Sequence, residues 1–181
     1  RLHAPWSPRR AALTILPASA RLQADDDACD PGPAPSACLF IPDPIYANGG
    51  DAPDVAEANS TLEGRPLEGL TDESGELVGD HVDTVSLNSG DYPAETDGTW
   101  AAGRARPGLE HAMAYYWIDT AHSDLERLGF GDVWDSPIPV EAVDADTVDN
   151  AFWDGEAVHM GVGSDGINEG EDASGIVHEY G

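Results

Sequence analysis

Apolar and polar positions recur with two different periods along this chain, and the change of period divides it. In GLEHAMAYYWIDTAHSDLERLGF (108–130), Leu109, Met113, Tyr116, Thr120 and Leu128 fall near helical spacing, while Glu110, Asp119, Ser123 and Glu126 fall largely on other faces. The pattern predicts a helix of about five turns, with Pro107 in its first turn and Gly129 at its stop. Downstream, IPVEAVDAD (138–146) alternates and reads as a strand. NAFWDGEAVHMGVG (150–163) reads as two strands joined at the turn signal Asp154-Gly155. EGEDASGIVHEYG (169–181) then opens a second helix, in which Ala173, Ile176, Val177 and Tyr180 supply apolar contacts at spacings of three and four. Glu169, Glu171 and Asp172 cluster where the partial positive charge of that helix N-terminus favours them, so capping explains them without a function.

Upstream, the text from CLFIPDPI to DTVSLNSG consists of short apolar runs broken by Gly, Pro, Asn and Asp. Leu77, Val82, Val85 and Leu87 in GELVGDHVDTVSL suggest small strands and turns. Residues 1–38 are Pro/Ala/Asp-rich and aperiodic. The expectation is an α+β fold in three parts: a linker or tail over 1–38, a small β-rich lead-in region over 39–106, and an α+β unit over 107–181.

Charge narrows the partners. Eight arginines, with no lysine, stand against 35 acidic residues, for a net charge of −27. Such a chain repels phosphate backbones, which argues against nucleic acid. Excess carboxylate favours solubility and cation binding and suits a secreted or salt-adapted protein. No run approaches the ~20 apolar residues of a membrane span, and the chain reads as a monomer. Cys29 and Cys38 bracket eight residues rich in Pro and Gly; they form either a local disulfide, outside the cytosol, or two free thiols. RRAALTILPASA near the start has the Arg pair and small-residue end of a signal peptide, but Pro17 and the short apolar run argue against one. The absence of an initial Met suggests a fragment of a larger protein.

Candidate chemistry concentrates at the end. His178-Glu179 is either the opening half of a zinc-binding helix or an ordinary surface pair. The motif His-Glu-x-x-His works because residues four apart on a helix point the same way, each imidazole about 2.0–2.1 Å from zinc, with the Glu close to the attacking water. His111 and His122 lie eleven apart on one helix, too far to share an ion. His159 is a conceivable substitute ligand or simply a residue on a hairpin face. An EF-hand is excluded, because a loop starting at Asp165 has Ile167 at its third position, where an oxygen ligand is required. Asn59-Ser60-Thr61 fits the glycosylation sequon, but three-letter matches arise often by chance and a plain turn is the better reading.

NAFWDGEAVHMGVGSDGINEGEDASGIVHEYG resembles the stretch leading into the active-site helix of the thermolysin-like zinc metallopeptidases, the gluzincins, including their fungalysin-like and secreted bacterial branches. Asn150-Ala151-Phe152-Trp153 and His178-Glu179 stand in that family's order. AYYWIDTAHSDLERLGF is similar to the helix before the strand, and FIPDPI and ESGELVGDHVD are similar to the lead-in β-region. The resemblance covers residues 39–181. It implies a thermolysin-like N-terminal subdomain, an antiparallel sheet with a long helix and an active-site helix, cut within the latter.

The same resemblance implies roles. His178 becomes the first Zn2+ ligand and Glu179 the general base and proton shuttle, while Asn150 by side chain and Ala151 by main chain hold a polypeptide substrate. Zinc would polarise the scissile carbonyl and lower the pKa of the attacking water. The second His and the third ligand fall beyond Gly181. Ser174 stands where many members carry an Asp that serves calcium, which puts a calcium site in doubt. The expectation is a fragment, itself inactive, of a secreted zinc metalloendopeptidase; the rival is a non-catalytic acidic secreted β-rich binding or propeptide-like module.

Overall fold

The computed structural model describes residues 29–71, 75–87, 94–104, 108–131 and 134–181. Strand β1 (Ser36–Leu39) has every residue buried and is the middle of a three-stranded sheet. It pairs antiparallel with β2 (Glu63–Pro66), Ser36 opposite Pro66 and Leu39 opposite Glu63, and parallel with β4 (Thr99–Trp100). Composition groups Ser36–Cys38 with a linker, yet these small side chains fill the centre of a sheet. Composition registers polarity, whereas strand pairing satisfies the backbone whatever the side chain. Cys38 is bridged to Cys29, with Cα atoms 5.9 Å apart, so the Pro/Gly-rich loop between them is closed covalently. Such a bridge points to an oxidising compartment.

Two short helices follow β1, each started by an aspartate. Asp43 accepts from the Tyr46 N–H at the head of α1 (Pro44–Ala47). Asp54 and Glu57 form a reciprocal capping box on α2 (Val55–Asn59). The sequon residues form the end of α2, where Ser60 and Thr61 hydroxyls donate to backbone carbonyls and Asn59 Oδ1 accepts from the Arg104 N–H.

The long helix α3 (Leu109–Arg127) is the one the periodicity predicts, and it stops at Gly129, at φ 90°. Pro107 lies outside the described residues. Its buried stripe differs from the expected one. Leu109, Ala112, Met113, Tyr115 and Ile118 are buried, Tyr116 and Thr120 only partly, and Leu128 is 72% exposed. Glu110 and Asp119, expected on polar faces, are buried as well. Helix α3 packs against β1, against the segments Val82–Asp83 and Ile138–Val148 and against the 3-10 turn Glu169–Glu171, so it is enclosed on several sides, and a one-face pattern cannot hold. Tyr115 reaches across to the Glu68 carbonyl at 2.7 Å. It passes over Gly79, where a Cβ would stand 2.2 Å from the Tyr115 hydroxyl.

The second sheet has the order β3-β5-β7-β6, from β3 (Val82–Asp83), β5 (Ile138–Val148), β6 (Ala151–Trp153) and β7 (Val158–Val162). In β5 Ile138, Val140 and Ala142 alternate inward, as the sequence pattern predicts. The β6–β7 hairpin turns at Asp154-Gly155, with Trp153 opposite Val158. The expected antiparallel sheet is not what forms: β3–β5 and β5–β7 run parallel, and only β6–β7 is antiparallel. Just two residues join β5 to β6, and the first, Asp149, adopts a left-handed φ of 52°. The chain thereby leaves β5 and returns at one remove, and the hairpin lays β7 rather than β6 against it. Both sheets are therefore mixed, and with four helices among the described residues the fold is α+β. One cluster of buried apolar side chains, from Ala37 to Ile176, joins the lead-in region to the later unit. No helix among the described residues is long and apolar enough to cross a membrane.

Candidate active site and metal-competent clusters

The terminal helix α4 (Ala173–Tyr180) is started by Asp172, whose carboxylate accepts from the Ser174 N–H at 2.7 Å. Its first amide also donates to the Pro42 carbonyl, anchoring it to the segment that follows β1. Ala173 and Ile176 are buried, and Tyr180 turns inward so that its hydroxyl meets His122 Nδ1 at 2.6 Å. His178 is exposed and Glu179 half-buried. Helix α4 packs against β6, the outer strand of the second sheet. Asn150 stands exposed at the head of β6, and Ala151 is half-buried within it. The Asn150 carbonyl accepts from Gly161 N at 3.0 Å, and a Cβ on residue 161 would come within 2.4 Å of that oxygen. The structure thus lays the strand carrying Ala151 alongside the helix carrying His178 and Glu179.

Behind α4 lies a buried polar network that periodicity does not reveal. Arg104 Nε donates to Glu171 Oε2 at 2.6 Å, with both side chains almost wholly buried. The guanidinium also donates to the Pro53 and Gly166 carbonyls. Glu171 Oε1 accepts from Asn168 N, and Asn168 Nδ2 donates to Glu110 Oε1 at 2.8 Å. Glu171 is therefore more than a capping acid: it holds the 3-10 turn (Glu169–Glu171) that aims α4. Burial outweighs the attraction of Arg104 and pushes Glu171 up to about 6. Burial raises Glu110 as well.

Because the native pKa of Glu171 lies above the unfolded value of 4.5, the folded chain binds the extra proton. This group's contribution to stability is greatest below about 4.5 and falls as pH rises to about 6, by about 2 kcal/mol. Urea unfolding at pH 4.5 and 6.5 measures it, and Glu171→Gln is expected to flatten the difference relative to the parent.

Two groups of described residues hold donor atoms close enough for one metal ion: His81, His122 and Glu126, and Glu141, Asp144 and His159. His178 and Glu179 belong to neither. The chain supplies a single imidazole at the terminus, and one ligand does not make a zinc site. Ser174 is exposed, and Asp172 is the carboxylate at the first turn of α4.

His159 sits on the hairpin, stacked on Phe152 at 4.7 Å, with Nδ1 3.0 Å from Glu141 and Nε2 3.3 Å from Asp154. An irregularity in the β5 register between Glu141 and Asp144 brings both carboxylates to one ring, although alternation would separate them. His111 is buried, its Nδ1 3.2 Å from the Thr84 carbonyl, and burial lowers its pKa. The histidine beside His122 is His81, with ring centroids 3.8 Å apart. Spacing on one helix could not show that partner, since it comes from a different element.

No protein-family model, curated protein or solved structure matches the chain. What fold and site define is an α+β polypeptide with two small mixed sheets, groups of His, Glu and Asp able to hold a metal ion, and a disulfide of the kind oxidising compartments sustain.

Proposed function

We propose that this chain forms the strand-and-helix half of the active site of a secreted, thermolysin-like zinc endopeptidase. One observation carries the reading: the outer strand Ala151–Trp153 packs beside the helix that displays His178 and Glu179 at its end. A strand at a sheet edge can take an extended peptide as one more strand, with main-chain hydrogen bonds setting its register. Ala151 offers its backbone for that pairing, and Asn150 its amide side chain. Glu179 is the proton acceptor for the attacking water and returns the proton to the leaving amine. His178 contributes one nitrogen to zinc; the further ligands that the resemblance implies fall outside the 181 residues.

The test is to read the gene past the codon for Gly181 and assay the polypeptide it encodes. The next residue is expected to be His, and the product to cleave an internally quenched peptide only with zinc present, while residues 1–181 alone leave casein intact. Another residue at that position, or cleavage that survives full chelation, defeats the reading.

A further inference from the structure

His81 lies in the bend before β3, while His122 and Glu126 lie one turn apart on α3, so three donors from two parts of the chain converge. Their ligand atoms all lie within 4.8 Å of one another, with His122 Nε2 3.9 Å from Glu126 Oε1. Each imidazole is held by its other nitrogen. His81 Nδ1 is 2.8 Å from Asp119 Oδ1, and His122 Nδ1 is 2.6 Å from the Tyr180 hydroxyl. That leaves Nε2 on both rings as the ligating atom. Outer partners of this kind are what orient the histidines of metal sites. From these contacts we infer that His81, His122 and Glu126 form a binding site for a divalent transition metal of the zinc class.

The rest of the surroundings agree. The two rings stack at 3.8 Å and 20°, a contact that favours neutral imidazoles over a pair of cations. Neutral imidazole is also the form that binds metal. Two imidazole nitrogens and one carboxylate oxygen, with a fourth position open, suit Zn2+, Co2+ or Ni2+ better than Ca2+ or Mg2+, which take oxygen-rich shells. Stacked, nearly parallel rings hold their lone pairs in two separate planes, and one ion cannot lie in both, so ligation has to splay them. His81, partly exposed in a bend, is the ring that turns, and His122, buried between Tyr180 and the helix, stays.

The rival cluster lacks these features. Both nitrogens of His159 already meet carboxylates, so those contacts account for that ring. The site is also separate from the terminal imidazole: Tyr180 and His178 are two residues apart, about 200° around the helix, one turned inward and the other exposed. It does not rest on the peptidase reading. Its effect on the fold is to tie the loop before β3 to α3 and, through Tyr180, to α4.

The metal-free 181-residue chain is titrated with Zn2+ by calorimetry and with Co2+ by visible absorption. One equivalent is expected to bind, with tetrahedral Co2+ bands and no displacement by equimolar Ca2+. His81→Ala is expected to weaken binding more than about 100-fold, since outer-partner losses alone cost about 10–100-fold and Asp119→Asn should fall in that range. Glu126→Gln, at an exposed helix position that does not burden folding, should also weaken it, and His178→Ala should leave it unchanged. The inference is overturned if wild-type and Glu126→Gln bind alike, if equimolar Ca2+ displaces the ion, or if binding is lost in His178→Ala and kept in His81→Ala.

Discussion

Glu179→Gln, in the polypeptide encoded through and past Gly181, is expected to lower kcat for peptide cleavage by about 10²–10⁴-fold, with KM and zinc content unchanged. The amide has the shape of the carboxylate but cannot take a proton from water, so it removes an interaction made in the transition state and leaves ground-state binding alone. Glu179 lies half-buried near the end of α4, and other residues dock the helix (Ala173, Ile176 and Tyr180), so the substitution does not unseat it. His178→Ala should differ in kind, losing zinc together with activity. A Glu179→Gln enzyme that cleaves at the parent rate would remove Glu179 from the mechanism.

The largest expected effect on stability is at Arg104. Arg104→Ala leaves Glu171 buried without its cation and strips donors from the Pro53 and Gly166 carbonyls. Truncating one partner of a buried ion pair costs about 3–5 kcal/mol, and urea unfolding at pH 7.5 measures it. The cost should shrink at pH 5, where Glu171, with its pKa near 6, takes up a proton and the uncompensated charge disappears. Replacing both partners, Arg104→Met with Glu171→Leu, should recover most of the loss, because two apolar side chains leave no charge to desolvate. A cost that does not depend on pH, or a double variant as unstable as the single, would show that packing rather than charge sets the effect.

The two halves of the chain were unequally legible. From Leu109 onward the periods are long, and α3, β5, the Asp154-Gly155 hairpin and α4 lie where the sequence reading expects them. Within α3, Glu110 and Asp119 fall on polar faces by spacing yet are buried in the fold, because periodicity assumes one wet face and this helix is covered on several. In the lead-in region, elements of two to five residues carry too few positions to show a period, and Ser36–Leu39 was hidden in a segment that composition marks as linker. The parallel pairing of β5 with β7 was illegible because it depends on a left-handed turn at Asp149, a conformation that Asp tolerates better than most residues but that a single Asp does not specify.

Sequence alone determined the acidic surface, the two long-period helices, the hairpin, and the neighbourhood in which His178-Glu179 and Asn150-Ala151 occur, because each follows from local spacing or from counting. Only the tertiary structure decided that Arg104 meets Glu171, that His81 meets His122, and that β6 lies beside α4. Such partners stand 41 to 67 residues apart in the first two cases. No local period encodes contacts of that range; they exist because burying the core brings the elements together and leaves their polar groups to satisfy one another.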